Sequence, residues 1–168
     1  MPRAIGIIAS IILLAGCAPQ YTQPDSAQPS AQLRLVSSLD GTFNAQTFVA
    51  YADEACTRDG PDFGVLAGFN WAGDRGPDKI VLVRPDQRLF VKAAAQTLGK
   101  MTVNMPMMVQ EHDICYVLVS FVPERSRRYE IRQPLSKTDC MAMVVDAETM
   151  QSPPTFQAHQ IKDSCRIQ

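Results

Sequence analysis

Residues 114–122 read ICYVLVSFV, and this stretch decides the fold class. It is rich in β-branched and aromatic residues, which fit a pleated surface, and it is apolar on both faces. A strand with one wet face alternates apolar with polar residues. One that is apolar throughout is covered on both sides, as a central strand of a sandwich is. Downstream, residues 123–128 form a polar loop. Tyr129-Glu130-Ile131-Arg132 then alternates, placing Tyr129 and Ile131 on one face and Glu130 and Arg132 on the other. Residues 140–145 (CMAMVV) predict another strand, ended by Asp146-Ala147-Glu148, and residues 156–161 are placed to pair back on it. Upstream, residues 79–83 (KIVLV) and 88–93 (RLFVKA) predict strands joined by the turn Arg84-Pro85-Asp86-Gln87. Only residues 48–58 (FVAYADEACTR) predict a helix, or a strand running into a helical turn. Short strands at regular spacing, separated by turn residues, predict an all-β fold with at most one short helix: an antiparallel β-sandwich.

The chain divides into three parts. Residues 1–16 carry one positive charge at Arg3, then an apolar run broken only by Gly6 and Ser10, then small residues. That order is a secretory signal, too short for a membrane-crossing helix of ~20 apolar residues. Residues 18–32 (APQYTQPDSAQPSAQ) are rich in Pro and Gln with almost nothing to bury. With Cys17 they predict a disordered tether over 17–32, with a root-mean-square reach of ~20 Å. Residues 33–168, roughly 135 of them, match the commonest size of one domain, and no internal repeat points to a solenoid.

Leu14-Ala15-Gly16-Cys17 closely resembles the lipobox of bacterial lipoproteins, in which a Leu, two small residues and a Cys close the signal. The resemblance implies that the Cys17 thiol carries diacylglycerol, that a peptidase cuts just before it, and that the new amino group is acylated, with palmitate-type chains. Two or three such chains anchor a protein stably, since each buried CH₂ contributes ~0.8 kcal/mol. The first partner is then the membrane itself. Ala18, where an Asp would imply retention in the inner membrane, implies the outer membrane with the domain facing the periplasm.

Four cysteines follow the signal: Cys56, Cys115, Cys140 and Cys165. An even number in an exported domain predicts two disulfides. If residues 140–145 and 156–161 form a hairpin, Cys140 comes close to Cys165, leaving Cys56 for Cys115. The spacing lacks the CxxC pairs of zinc or redox sites, so the bonds are expected to be structural staples.

No nucleophile elbow, metalloprotease helix, phosphate loop or EF-hand pattern occurs, and the two histidines, His112 and His159, lie far apart. No catalytic residue, metal or cofactor is expected. A serine–histidine site built from scattered residues would be recognised only by geometry. The turns Asp59-Gly60-Pro61-Asp62 and Asp74-Arg75-Gly76-Pro77-Asp78 offer too few oxygens for calcium and read as ordinary turns. Arg125, Arg127, Arg128 and Arg132 form a candidate anion-binding cluster, since guanidinium groups pair bidentately with phosphates. Glu124 and Glu130 interleave with them, so a solvated loop is the stronger expectation. A net charge of −1 gives no reason to expect nucleic acid. The methionines at 101, 105, 107, 108, 141, 143 and 150 read as core filler or partner-facing surface rather than a copper site, with residues 99–113 as an exposed hairpin or loop.

Phe121, Pro123 and Tyr129 (F-x-P-x-x-x-x-x-Y), followed by the strand led by Cys140 and by Asp146, resemble uncharacterised proteobacterial lipoproteins with small β-sandwich domains of unknown function. The resemblance supports the sandwich and implies no activity; Ser126-Arg127-Arg128 stands where a turn glycine is usual. Two functions therefore compete. One is a non-enzymatic binding or accessory module presenting an edge or loop to an unknown envelope protein. The other is a small envelope hydrolase or ligand binder acting on cell-wall or lipid material, with Glu111, His112 and Asp113 as its titratable group.

Overall fold

Alternation builds the first strand directly. In β1 (Ala31–Val36), Ala31, Leu33 and Leu35 are buried while Gln32 and Arg34 face solvent. In the computed structural model, residues 19–38, 43–70, 78–97, 101–104, 107–110, 114–134 and 140–166 are described. Residues 1–16, expected as an export signal, Cys17 with its lipobox resemblance, and the Glu111-His112-Asp113 trio lie outside them. The remaining elements are β2 (Phe43–Tyr51), β3 (Gly64–Asn70), β4 (Lys79–Val83), β5 (Leu89–Thr97), β6 (Met101–Asn104), β7 (Met107–Gln110), β8 (Ile114–Phe121), β9 (Arg128–Arg132), β10 (Met143–Asp146), β11 (Gln157–His159) and a single helical turn, α1 (Asp163–Arg166).

Two sheets pack face to face, one ordered β10-β9-β1-β4 and the other β11-β8-β5-β2-β3, with β6 and β7 forming a separate hairpin. Among the described strands β1 to β11, every pairing is antiparallel except β1 with β9, which run parallel from Gln32 opposite Arg128 to Val36 opposite Arg132. The protein is thus an all-β, disulfide-stapled sandwich. Its main core lies between the sheets: Leu33, Leu35 and Ile131 from one, Phe48, Val91, Val119 and Phe121 from the other, all fully buried. Each such side chain contributes ~1.5–3 kcal/mol by leaving water.

Strand β8 is an interior strand with both faces covered over most of its length, as its composition implies. The 48–58 stretch takes the second of its two expected forms. It ends β2 and then turns where the Asp53 carboxylate accepts N–H groups from Ala55 and Thr57, both at 3.0 Å, and the Thr57 hydroxyl at 2.6 Å. The 84–87 turn does not close a hairpin: β4 and β5 belong to different sheets, and Asp86, in the left-handed region at φ 62°, carries the chain across. The same holds at Phe121–Tyr129. There the Tyr129 hydroxyl accepts the Glu124 N–H at 3.1 Å, its ring packs 5.0 Å from Phe121, and Ser126 takes the left-handed φ of 61° that a glycine would otherwise supply. This is a tyrosine-corner arrangement at a sheet-to-sheet crossing.

Two expectations are corrected. The disulfides join Cys56 to Cys165 and Cys115 to Cys140, with Cα atoms 5.3 and 5.5 Å apart, not Cys56 to Cys115 and Cys140 to Cys165. The assumed hairpin does not exist, because β10 pairs with β9 in one sheet and β11 with β8 in the other. Cys140 therefore lands beside the start of β8, and Cys165 folds over the opposite side. The segment expected as a tether over 17–32 is also ordered from Pro19. The Val65 N–H donates to the Pro19 carbonyl at 2.8 Å, the Tyr21 N–H to the Val65 carbonyl at 3.0 Å, and Tyr21 is buried in the core. The domain begins before Leu33.

Candidate functional site

The outward face of the five-stranded sheet is covered over only part of its area. Val49, Tyr51, Leu118 and Phe90 meet Cys56, Phe63, Ile161 and Cys165, forming a second, smaller core. Its lid consists of the loop after β2 and the C-terminal turn, and the Cys56–Cys165 bond ties the two together. One row further on, where Thr47, Ala94 and Tyr116 lie side by side in register, the lid ends. Alanines at 45 and 94 leave a hollow of about 220 Å³ walled by Thr47, Gln96, Ile114 and Tyr116. Ile114 is 45% exposed at its rim.

Lys92 stands at the boundary between the lidded and open halves. It lines the hollow yet is only 2% exposed. Its ammonium donates to the Cys165 carbonyl at 3.1 Å and lies 5.8 and 5.6 Å from the ring centres of Tyr51 and Tyr116, a cation–π arrangement. Burial, and to a lesser degree the Arg58 charge, pull its pKa down to about 8. Among the described residues no carboxylate pairs with it. The hollow thus combines a desolvated cation, an amide, a hydroxyl and an aromatic wall. Such a set is suited to holding a polar group through contact.

A second constellation has the form of a catalytic set. The Ser120 hydroxyl lies 2.7 Å from His159 Nε2, and His159 Nδ1 lies 3.7 Å from the Glu54 carboxylate. The surroundings decide its role. Ser120 is fully buried, its oxygen also accepts an Arg88 N–H at 3.0 Å, and the same guanidinium holds the Thr155 carbonyl at 3.0 Å. With His159 on one side and Arg88 on the other, the Ser120 hydroxyl is enclosed by its own hydrogen-bond partners. Its hydrogen bonds clip the short strand β11 and the Thr155 loop to β8.

The arginine cluster is neutralised in place. Arg125 pairs with Asp86 at 2.5 Å, Arg127 with Glu148 at 3.2 Å and with Glu124 and Asp146 at 3.6 Å, Arg128 with Glu148 at 3.8 Å, and Arg132 with Glu130. Each guanidinium already has a carboxylate, so the four do not converge on an anion. Asp62 pairs with Arg84 at 2.9 Å, and Asp78 accepts from Arg34 Nε at 2.7 Å; both act in ordinary loop contacts. Among the described residues no group of three or more His, Cys, Asp or Glu could hold a metal ion, and no helix is long and apolar enough to cross a membrane. Residues 101–104 and 107–110 pair as the expected hairpin, while Met141 and Met150 are exposed.

Sequence reasoning missed Lys92, Tyr116, Ser120 and His159 as a neighbourhood. The available signal was Lys92 itself, a lone charge within the apolar run 89–95. No family model, curated protein or solved structure matches the chain.

Proposed function

We propose that the protein is a lipid-anchored envelope lipoprotein whose sandwich acts as a non-enzymatic binding or accessory module, held at the outer membrane and facing the periplasm. The observation that carries this is an accounting of thiols. Cys56, Cys115, Cys140 and Cys165 are all consumed in disulfides, so Cys17 is the one cysteine left over, at the position where the lipobox resemblance places the lipid. Two disulfides also suit an oxidising compartment outside the cytoplasm.

The open half of the five-stranded sheet is the contact surface in this proposal, with Thr47, Gln96, Ile114 and Tyr116 meeting a polar group of an envelope partner. The test is site-specific photocrosslinking in cells making the lipidated protein. A photoreactive residue at Thr47 or Ile114 is expected to capture one envelope protein, and filling the hollow with Thr47→Arg, with the probe kept at Ile114, is expected to abolish the product. Capture from Arg128 on the opposite sheet, with none from Thr47 or Ile114, would overturn the placement.

A further inference from the structure

The segment that joins the lipid site to the domain is fastened at both edges of the sandwich. Gln20 bridges to Val65 in the parallel sense, flanked by the Val65 N–H to Pro19 bond at 2.8 Å and the Tyr21 N–H to Val65 bond at 3.0 Å. Tyr21 is 5% exposed, with the Arg84 guanidinium 5.9 Å over its ring. Two residues on, the Gln23 side-chain carbonyl accepts the Leu82 N–H at 2.7 Å. The segment therefore ties β3, the edge of one sheet, to β4, the edge of the other. Gly64 is shaped for it: a Cβ there would come within 2.5 Å of the Tyr21 backbone, closer than any side chain tolerates.

Only one residue, Ala18, separates Pro19 from Cys17, so their Cα atoms lie at most ~7 Å apart. We infer that the lipidated domain lies flush against the bilayer surface, with the Gly64 end of β3 and the neighbouring 58–63 loop as its membrane-proximal side. This rests on lipidation at Cys17. The parallel pairing sets which end faces the membrane, because it puts Pro19 at the start of β3. Charge adds little: Arg58 and Asp59 oppose one another in sign, and Arg84 pairs with Asp62 at 2.9 Å. The covalent anchor and the paired segment, not attraction to anionic lipid, hold the domain down, so its position is insensitive to salt.

Neutron reflectometry of the full-length lipidated protein on a phosphatidylethanolamine–phosphatidylglycerol bilayer reads this directly. Protein density is expected to begin at the headgroups, with less than ~10 Å of intervening water, at low and high salt alike. Gly64→Val, which expels Tyr21 from the β3 edge, is expected to free the chain as far as Gln23 and open a hydrated gap of ~12 Å. Six Gly/Ser residues inserted between Ala18 and Pro19 leave the packing untouched and are expected to widen the wild-type gap by ~13 Å. A lipidated wild type that already stands ~20 Å off the bilayer would overturn the inference and leave the anchor intact. An intact mass without lipid at Cys17 would overturn the anchor and the inference with it, and chymotrypsin resistance at Tyr21, lost in Gly64→Val, then reports separately whether the segment is docked.

Discussion

Cys56 and Cys165 lie 109 residues apart in the chain and meet over the outward face of the five-stranded sheet, with Cα atoms 5.3 Å apart. Their bond holds the lid above Tyr51 and Leu118. Closing so long a loop removes more freedom from the unfolded chain than the Cys115–Cys140 bond does, with its separation of 25. The chain-entropy relation gives ~4.8 kcal/mol for the former and ~3.5 kcal/mol for the latter. The Cys56→Ala/Cys165→Ala pair is therefore expected to lower the unfolding free energy more than Cys115→Ala/Cys140→Ala. Urea titrations of the two double variants check the order, and the reverse order would show that native packing, not loop closure, sets their weight.

Ser120, His159 and Arg88 form a clip. Ser120→Ala leaves an Arg88 N–H and a ring nitrogen of His159 without their buried acceptor or donor, at an expected loss of ~1–3 kcal/mol in stability. The wild type is also expected to resist a fluorophosphonate probe, because Ser120 is fully buried. Mass-spectrometric detection of the probe on Ser120 in folded protein would contradict this and revive the hydrolase alternative.

Lys92 makes stability depend on pH in the alkaline range. Its pKa is about 8 in the fold, against 10.5 for an ordinary lysine. Between those values the unfolded chain binds more protons than the folded one, so the stability contributed by this residue rises with pH. Below pH 8 both states are protonated and the full cost of burying the cation remains. Lys92→Met is expected to stabilise the domain at neutral pH by ~2–3 kcal/mol and to flatten the rise measured between about pH 8 and 9.5, in a Cys17→Ser background that removes the remaining thiol. An unchanged slope would show that the ammonium is better solvated than its position implies.

The strands were legible where burial dictates composition. Val117, Val119 and Phe121 are apolar because they face the main core, and Leu118 because the lid covers it on the other face. Tyr129 and Ile131 alternate with Glu130 and Arg132 because they face the core. Which sheet each strand joins left no such trace. Periodicity describes a strand's own two faces, so the separation of β10 from β11, and with it the disulfide pairing, depended on the crossings at Tyr129 and in the 147–156 loop, which local patterns do not announce. Residues 19–23 escaped because backbone hydrogen bonds and a single buried ring, Tyr21, hold them; composition registers neither. The neighbourhood of Ser120 and His159 was hidden because its members come from separate strands, 39 residues apart.

The most direct measurement is the intact mass of the protein produced with its own signal in a bacterium, beside the Cys17→Ser variant. The expected result is a chain that begins at Cys17, carries a diacylglyceryl or triacyl adduct, and contains two disulfides; in the variant the adduct is absent. A wild-type chain that begins elsewhere, or carries no lipid, would contradict membrane anchoring and leave a sandwich free of the bilayer.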